Sequence, residues 1–185
     1  MTSSEPARSI PCAPVAHEPS DLRALLDLPV TVTEFLETIA GESIFADVVR
    51  QNMVTAEPGN DLEVSTGQVV TRRITILLGR GTHRPFLYAE TSFVPERLPE
   101  HVVAQLNTTD DPIGRVLVTH GVMVGREPLP GCEARAPRPE VKLDAEVVFA
   151  RAYRLVIDGS PVFAIREWFL RSVLDALDGR YRGHA

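Results

Sequence analysis

Two stretches of this chain are so apolar that they read as interior strands, and each carries a charge of opposite sign. Arg73 opens Arg73-Ile74-Thr75-Ile76-Leu77-Leu78, and Glu167 lies within Pro161-Val162-Phe163-Ala164-Ile165-Arg166-Glu167-Trp168-Phe169-Leu170. Charges are seldom fully buried unless paired or held against a ligand, because desolvating one costs several kcal/mol or more. One cation and one carboxylate are then expected to face a shared interior. Such an interior suits a small anionic ligand that also carries a hydroxyl group. On the residues alone a buried structural ion pair accounts for the two charges equally well. Strand side chains alternate between faces, so the neighbours Arg72 and Arg166 are expected on the opposite face, in solvent.

Size and charge narrow the choices. A chain of 185 residues that is 44% hydrophobic can bury one good core and is short for two. A net charge of -6 without a basic cluster argues against a nucleic-acid partner. No apolar run is long enough to span a membrane, and the N-terminus lacks the charged-then-apolar plan of a signal peptide, so a cytoplasmic location without a membrane partner is expected. Cys12 and Cys132 form no CxxC pair, and His17, His83, His101, His120 and His184 are scattered without metal-ligand spacing, so neither a disulfide nor a metal is expected. His120 stands out only because it follows a compact apolar turn; a solvated or core role is its default. Ser92, Ser160 and Ser172 lie in no Gly-x-Ser-x-Gly elbow. Gly79-Arg80-Gly81 lacks the full phosphate-loop fingerprint and leads into a strand, which makes it a hairpin connection.

Hydrophobic spacing organises the chain as a leader over 1–20, one domain over 21–178 and a tail over 179–185. A short helix is expected from Ser20 to Pro29, with Leu22, Leu25, Leu26 and Leu28 on one face. A second follows, capped by Thr31 or Thr33, with Phe35, Leu36 and Ile39 as its apolar face and Gly41 as its stop. Strands are expected over Phe45–Thr55, Gln68–Leu78, Pro85–Val94, Val147–Ile157 and Pro161–Leu170, being rich in Val, Ile, Thr and Phe. Helices are expected over Pro99–Leu106 and Ile113–Thr119, with a turn at 107–112. Asp158-Gly159 marks a tight hairpin between the last two strands. Strands paired with strands, and helices gathered apart from them, imply an α+β domain with one antiparallel sheet.

Four stretches together resemble the chorismate pyruvate-lyase family, in particular its actinobacterial branch. They are Thr31-Val32-Thr33, Arg73-Ile74-Thr75-Ile76-Leu77-Leu78-Gly79, Asp111-Pro112-Ile113-Gly114-Arg115, and the run from Arg154-Leu155 through Glu167-Trp168-Phe169-Leu170-Arg171-Ser172-Val173. The resemblance extends from about Leu22 to Leu174 and rests on their order, their spacing and the Pro-(Leu/Ile)-Gly element. It implies helical flaps over a closed internal pocket. In that pocket Arg73 holds a ligand carboxylate, Glu167 contacts the ligand's hydroxyl, and Val32 and Ile113 contribute contacts largely through backbone. Val32 stands where relatives have a longer Met or Leu, so the pocket wall there differs in shape. Arg126, after the apolar run ending at Val124, is a candidate second cation.

The activity implied is conversion of chorismate to 4-hydroxybenzoate and pyruvate without metal, nucleotide or other cofactor, by a monomer or small homo-oligomer. Two other readings stay open. The same fold serves as an effector-binding domain in bacterial transcription regulators, normally behind a winged helix-turn-helix, for which the Pro-rich leader before Asp21 is too short. A relative recruited to another biosynthetic step would keep the pocket and change the substrate.

Overall fold

The computed structural model describes residues 31–129 and 145–182. The helix expected at Ser20–Pro29 and both cysteines lie outside these residues. Six strands form one sheet: β1 (Ile44–Thr55), β2 (Val69–Gly79), β3 (Pro85–Phe93), β4 (Gly125–Pro128), β5 (Val147–Ile157) and β6 (Ser160–Leu170). Their spatial order is β1-β2-β3-β6-β5-β4 and every pairing is antiparallel. Four helices complete the fold: α1 (Val32–Ala40), α2 (Glu100–Thr108), α3 (Ile113–Thr119) and α4 (Arg171–Arg182).

Local chemistry explains the boundaries. Thr31 caps α1 through a capping box, its hydroxyl accepting from the Glu34 N–H at 3.1 Å while the Glu34 carboxylate accepts from the Thr31 N–H at 2.8 Å. Gly41 ends the helix at φ 70°, a left-handed conformation that glycine adopts without steric cost. β5 and β6 join through Asp158 and Gly159, both at positive φ, as a two-residue hairpin turn of the strand-matching hand requires. In the β2–β3 hairpin the Glu42 carboxylate accepts the N–H groups of Gly81 and Thr82, so the loop that superficially resembled a phosphate cradle is tied to a side chain.

Packing divides into two apolar clusters on the helix-bearing face. One joins α1 and α4 to Leu77, Leu87, Phe149 and Phe169; the other joins α2 and α3 to Phe93, Tyr153, Leu155, Phe163 and Ile165. The helices are also tied together. Arg115 of α3 pairs with Glu37 of α1 and donates to the Ile44 carbonyl at 3.0 Å. Gly114 lets α3 come close to the α1 cap, since a Cβ there would stand 3.1 Å from the Thr31 Cβ.

The expected strands and the three expected helices within these residues occur within a residue or two of the positions read from sequence. Three elements were not anticipated: a single 3-10 turn at Pro95–Arg97, the four-residue edge strand β4, and α4, which runs to Arg182. Arg72 and Arg166 do face the far side of the sheet, but they are not solvated. Arg166 pairs with Asp61 at 2.5 Å and Arg72 lies 3.6 Å from the buried Glu90, under the β1–β2 connection. Among the described residues no helix is long and apolar enough to cross a membrane.

Phe163 has no solvent exposure and packs against Phe93 at 5.5 Å between ring centroids, whereas Met53 is 76% exposed. Phe163→Ala is expected to cost about 3–5 kcal/mol in urea unfolding. Met53→Ala is expected to change stability by no more than about 0.5 kcal/mol. Similar losses from both would contradict this placement of the core.

Candidate active site

Sheet register assembles the site. Arg73 on β2 lies beside Thr91 on β3, which lies beside Ile165 on β6 and then Tyr153 on β5. Two residues further along the strands, Thr75, Ala89, Glu167 and Arg151 form the adjacent row. Arg73 and Glu167 thus share a face with β3 between them, in neighbouring rows. Strand spacing of ~4.8 Å and a rise of ~3.4 Å per residue set their Cα atoms about 12 Å apart. No hydrogen bond or ion pair joins them among the described residues, which removes the simple reading of a mutual structural pair.

Each charge has its own surroundings, and the two differ in kind. Arg73 is 1% exposed and has only neutral partners. Its Nη1 donates to Gln51 Oε1 at 2.8 Å and to the Leu106 carbonyl at the end of α2. Its Nε and Nη2 are buried and have no hydrogen-bond partner among the described residues. These two nitrogens form one side of the guanidinium fork, the side that can grip a carboxylate with two parallel bonds. Burial lowers the pKa of Arg73 from its ordinary value, yet an arginine remains charged at neutral pH.

Glu167 is already compensated. Arg151 Nε donates to its Oε2 at 2.6 Å, and the Tyr153 hydroxyl donates to its Oε1 at 2.9 Å. Burial is the largest influence on Arg151 and pulls its pKa down, but the charge of Glu167, the influence of Tyr153 and the hydrogen bonds to both together outweigh it, and the net shift is upward. Burial, and then the Glu167 charge, push the Tyr153 phenol well above its usual range, so it serves as a neutral donor. A carboxylate has about four acceptor sites. Glu167 therefore keeps capacity for one more donor.

Between the poles lies a partly open cavity of about 130 Å³, lined by the sheet face, the starts of α1 and α3, and Val122 and Val124. That is on the order of the ~150 Å³ engineered cavity known to take up benzene. Val32 and Ile113, the first residues of α1 and α3, both line it, as do Arg73, Glu167 and Arg126. Arg126 is exposed, on β4, with its guanidinium 4.9 Å from the Tyr153 ring centroid. The five residues singled out from sequence thus meet at one cavity. His120 does not line it; its Nε2 lies 2.6 Å from Gln105 Oε1, and its ring is 4.5 Å from that of His101.

Sequence reasoning missed Arg151, Tyr153 and Gln51. Strand alternation was the available signal, since Arg151, Tyr153 and Leu155 share a face. The register was not readable: counting outward from the Asp158-Gly159 turn sets Ala150 opposite Glu167, and a bulge between Leu155 and Val156 brings Arg151 there instead.

A single antiparallel sheet with helices on one face, enclosing a ring-sized cavity with a cation at one end and a carboxylate at the other, defines a class of small-ligand α+β domains. Residues 30–177 match the family described as Chorismate pyruvate-lyase Rv2949c-like, and the chain belongs to that family. A protein of Mycobacterium tuberculosis named chorismate pyruvate-lyase is 30% identical over 164 residues, covering 83% of this chain and 81% of its own. One of the same name from Mycobacterium leprae is 30% identical over 162 residues, covering 83% of this chain and 75% of its own. Among solved structures, the effector domain of PhnF from Mycobacterium smegmatis matches with a TM-score of 0.54 at 15% identity, covering 77% of this chain and 90% of that one. At that identity the likeness speaks for the fold alone.

A buried cation with only neutral partners weighs against stability. Arg73→Met removes that burden, while leaving Gln51 Oε1 and the Leu106 carbonyl without their donor, a loss of about 1–3 kcal/mol. The thermal midpoint of the unliganded protein is therefore expected to hold or rise. A fall comparable to that of Phe163→Ala would mean that Arg73 is structural.

Proposed function

We propose that the protein is a chorismate pyruvate-lyase that releases 4-hydroxybenzoate and pyruvate, with Arg73 anchoring the ring carboxylate and Glu167 holding the ring hydroxyl. The observation that carries this reading is the unpartnered Nε/Nη2 edge of Arg73, buried in the wall of a ring-sized cavity whose other pole is a carboxylate. Family membership and the mycobacterial relatives supply the substrate class.

Chorismate has a ring carboxylate, an enolpyruvyl ether, and a hydroxyl on the adjacent ring carbon. In the proposed elimination the hydrogen on the hydroxyl-bearing carbon leaves as a proton and its electrons form a ring double bond. The ether C–O bond breaks with its electron pair passing to oxygen. The departing enolpyruvate takes a proton on its methylene carbon and becomes pyruvate, so atoms balance. Aromatisation makes the step strongly downhill, and the protein need only hold the reactive conformer and stabilise charge on the breaking ether. The proposed chemistry needs no metal, nucleotide or other cofactor.

In this reading Arg73 grips the carboxylate with two charge-assisted bonds, a geometry lysine does not reproduce. Glu167, fixed by Arg151 and Tyr153, accepts a hydrogen bond from the ring hydroxyl and orients the carbon that loses its hydrogen. Val32 and Ile113 contact the ring edge through the first turns of α1 and α3. Arg126, at the exposed side of the cavity, faces the enolpyruvyl carboxylate. Two cations for a dianion, with the carboxylate pole opposite, give the orientation a single sense.

The test is to incubate purified protein with chorismate and follow pyruvate and 4-hydroxybenzoate together by chromatography, with Glu167→Gln alongside. Equal release of both products is expected from the wild type. Glu167→Gln is expected to be slower by about tenfold or more, the weight of one hydrogen bond to a charged group. Absence of turnover with tight binding of 4-hydroxybenzoate would instead support a ligand-sensing domain, and absence of both would leave only the fold.

A further inference from the structure

We infer that Gln51 is a positioning and specificity-determining residue, which holds Arg73 with a neutral amide so that its charge remains for the ligand's carboxylate. The inference rests on the reading of Arg73 as the carboxylate anchor. Gln51 sits on β1 directly across from Arg73 and supplies the one side-chain acceptor that the guanidinium has among the described residues. Its own Nε2 donates to Asn107 Oδ1 at 2.5 Å, which fixes the amide with its oxygen toward Arg73. The other acceptor on Nη1, the Leu106 carbonyl, is also neutral. A bulge between Val48 and Arg50 sets the register that brings Gln51 to this place.

The alternative residue at position 51 makes the point. A carboxylate there would reach the same Nη1 and form a partly buried ion pair. The protein would gain stability and the guanidinium would lose most of its attraction for an incoming anion, because the pocket would then be electrically neutral at that pole. Glu167 is the internal comparison: it is compensated by Arg151 and meets a hydroxyl, whereas Arg73 is uncompensated and meets a charge. An amide keeps the geometry of the hold without supplying the counter-ion.

The test compares 4-hydroxybenzoate with its neutral isostere 4-hydroxybenzamide by calorimetric titration of the wild type, Gln51→Glu and Gln51→Met, with thermal midpoints of the unliganded proteins. The wild type is expected to prefer the benzoate by about tenfold or more, as a charge-assisted pair implies. In Gln51→Glu that preference is expected to disappear through weaker benzoate binding, with benzamide binding within about threefold of wild type and a thermal midpoint at or above it. Gln51→Met removes the hold and adds no charge, so the preference survives with weaker binding of both ligands. Parallel weakening of both ligands in Gln51→Glu, or an unchanged preference, would overturn the inference. A wild type that does not prefer the benzoate would instead overturn the assignment of Arg73 as the anchor.

Discussion

The desolvation of one arginine sets the terms for the rest of this molecule. Arg73 is almost completely buried, its Nη1 is satisfied by an amide and a backbone carbonyl, and its Nε and Nη2 have no partner among the described residues. Holding a cation in this way works against folding by several kcal/mol. The two apolar clusters on either side of the cavity must supply that stabilisation, one under α1 and α4 and the other under α2 and α3. Helices that converged at the centre of the sheet would fill the space over Ala89 and Thr91. Here the starts of α1 and α3 line the cavity instead of filling it.

The two ends of that cavity solve opposite electrostatic problems. At the Glu167 end the charge is neutralised within the protein by Arg151, and Tyr153 adds a neutral donor whose proton is held firmly by burial. What remains is a rigid acceptor, suited to a hydroxyl. At the Arg73 end the charge is left in place, suited to a carboxylate. In the proposed function a ligand with both groups enters in one sense only. The small side chains between the poles, Ala89 and the two threonines at 75 and 91, leave room for a ring above the strands.

Much of this was legible in the sequence because the signals were local. Period-two alternation in β2 and β6 set Arg73 and Glu167 on an interior face, the Thr31 and Gly41 caps bounded α1, and Asp158-Gly159 fixed the hairpin. Val32 and Ile113 came from the family resemblance and not from these local signals, and both line the cavity. What was hidden depends on non-local geometry. Bulges in β1 and β5 shift the register by one residue, so neither Gln51 nor Arg151 could be assigned to its partner by counting. The polar cover over Arg72 and Arg166 comes from Asp61 and Glu90 under a long connection, which alternation alone cannot reveal. β4 is too short to carry a periodic signal, and it contributes Arg126 to the cavity only through pairing with β5.

A crystal structure with 4-hydroxybenzoate bound tests the central claim most directly. The ring is expected in the cavity, its carboxylate bridging Arg73 Nε and Nη2 at about 2.8 Å, and its hydroxyl donating to Glu167. A ring bound with its carboxylate toward Arg151 and Glu167, or bound outside the cavity with the Arg73 fork still unpartnered, would contradict it.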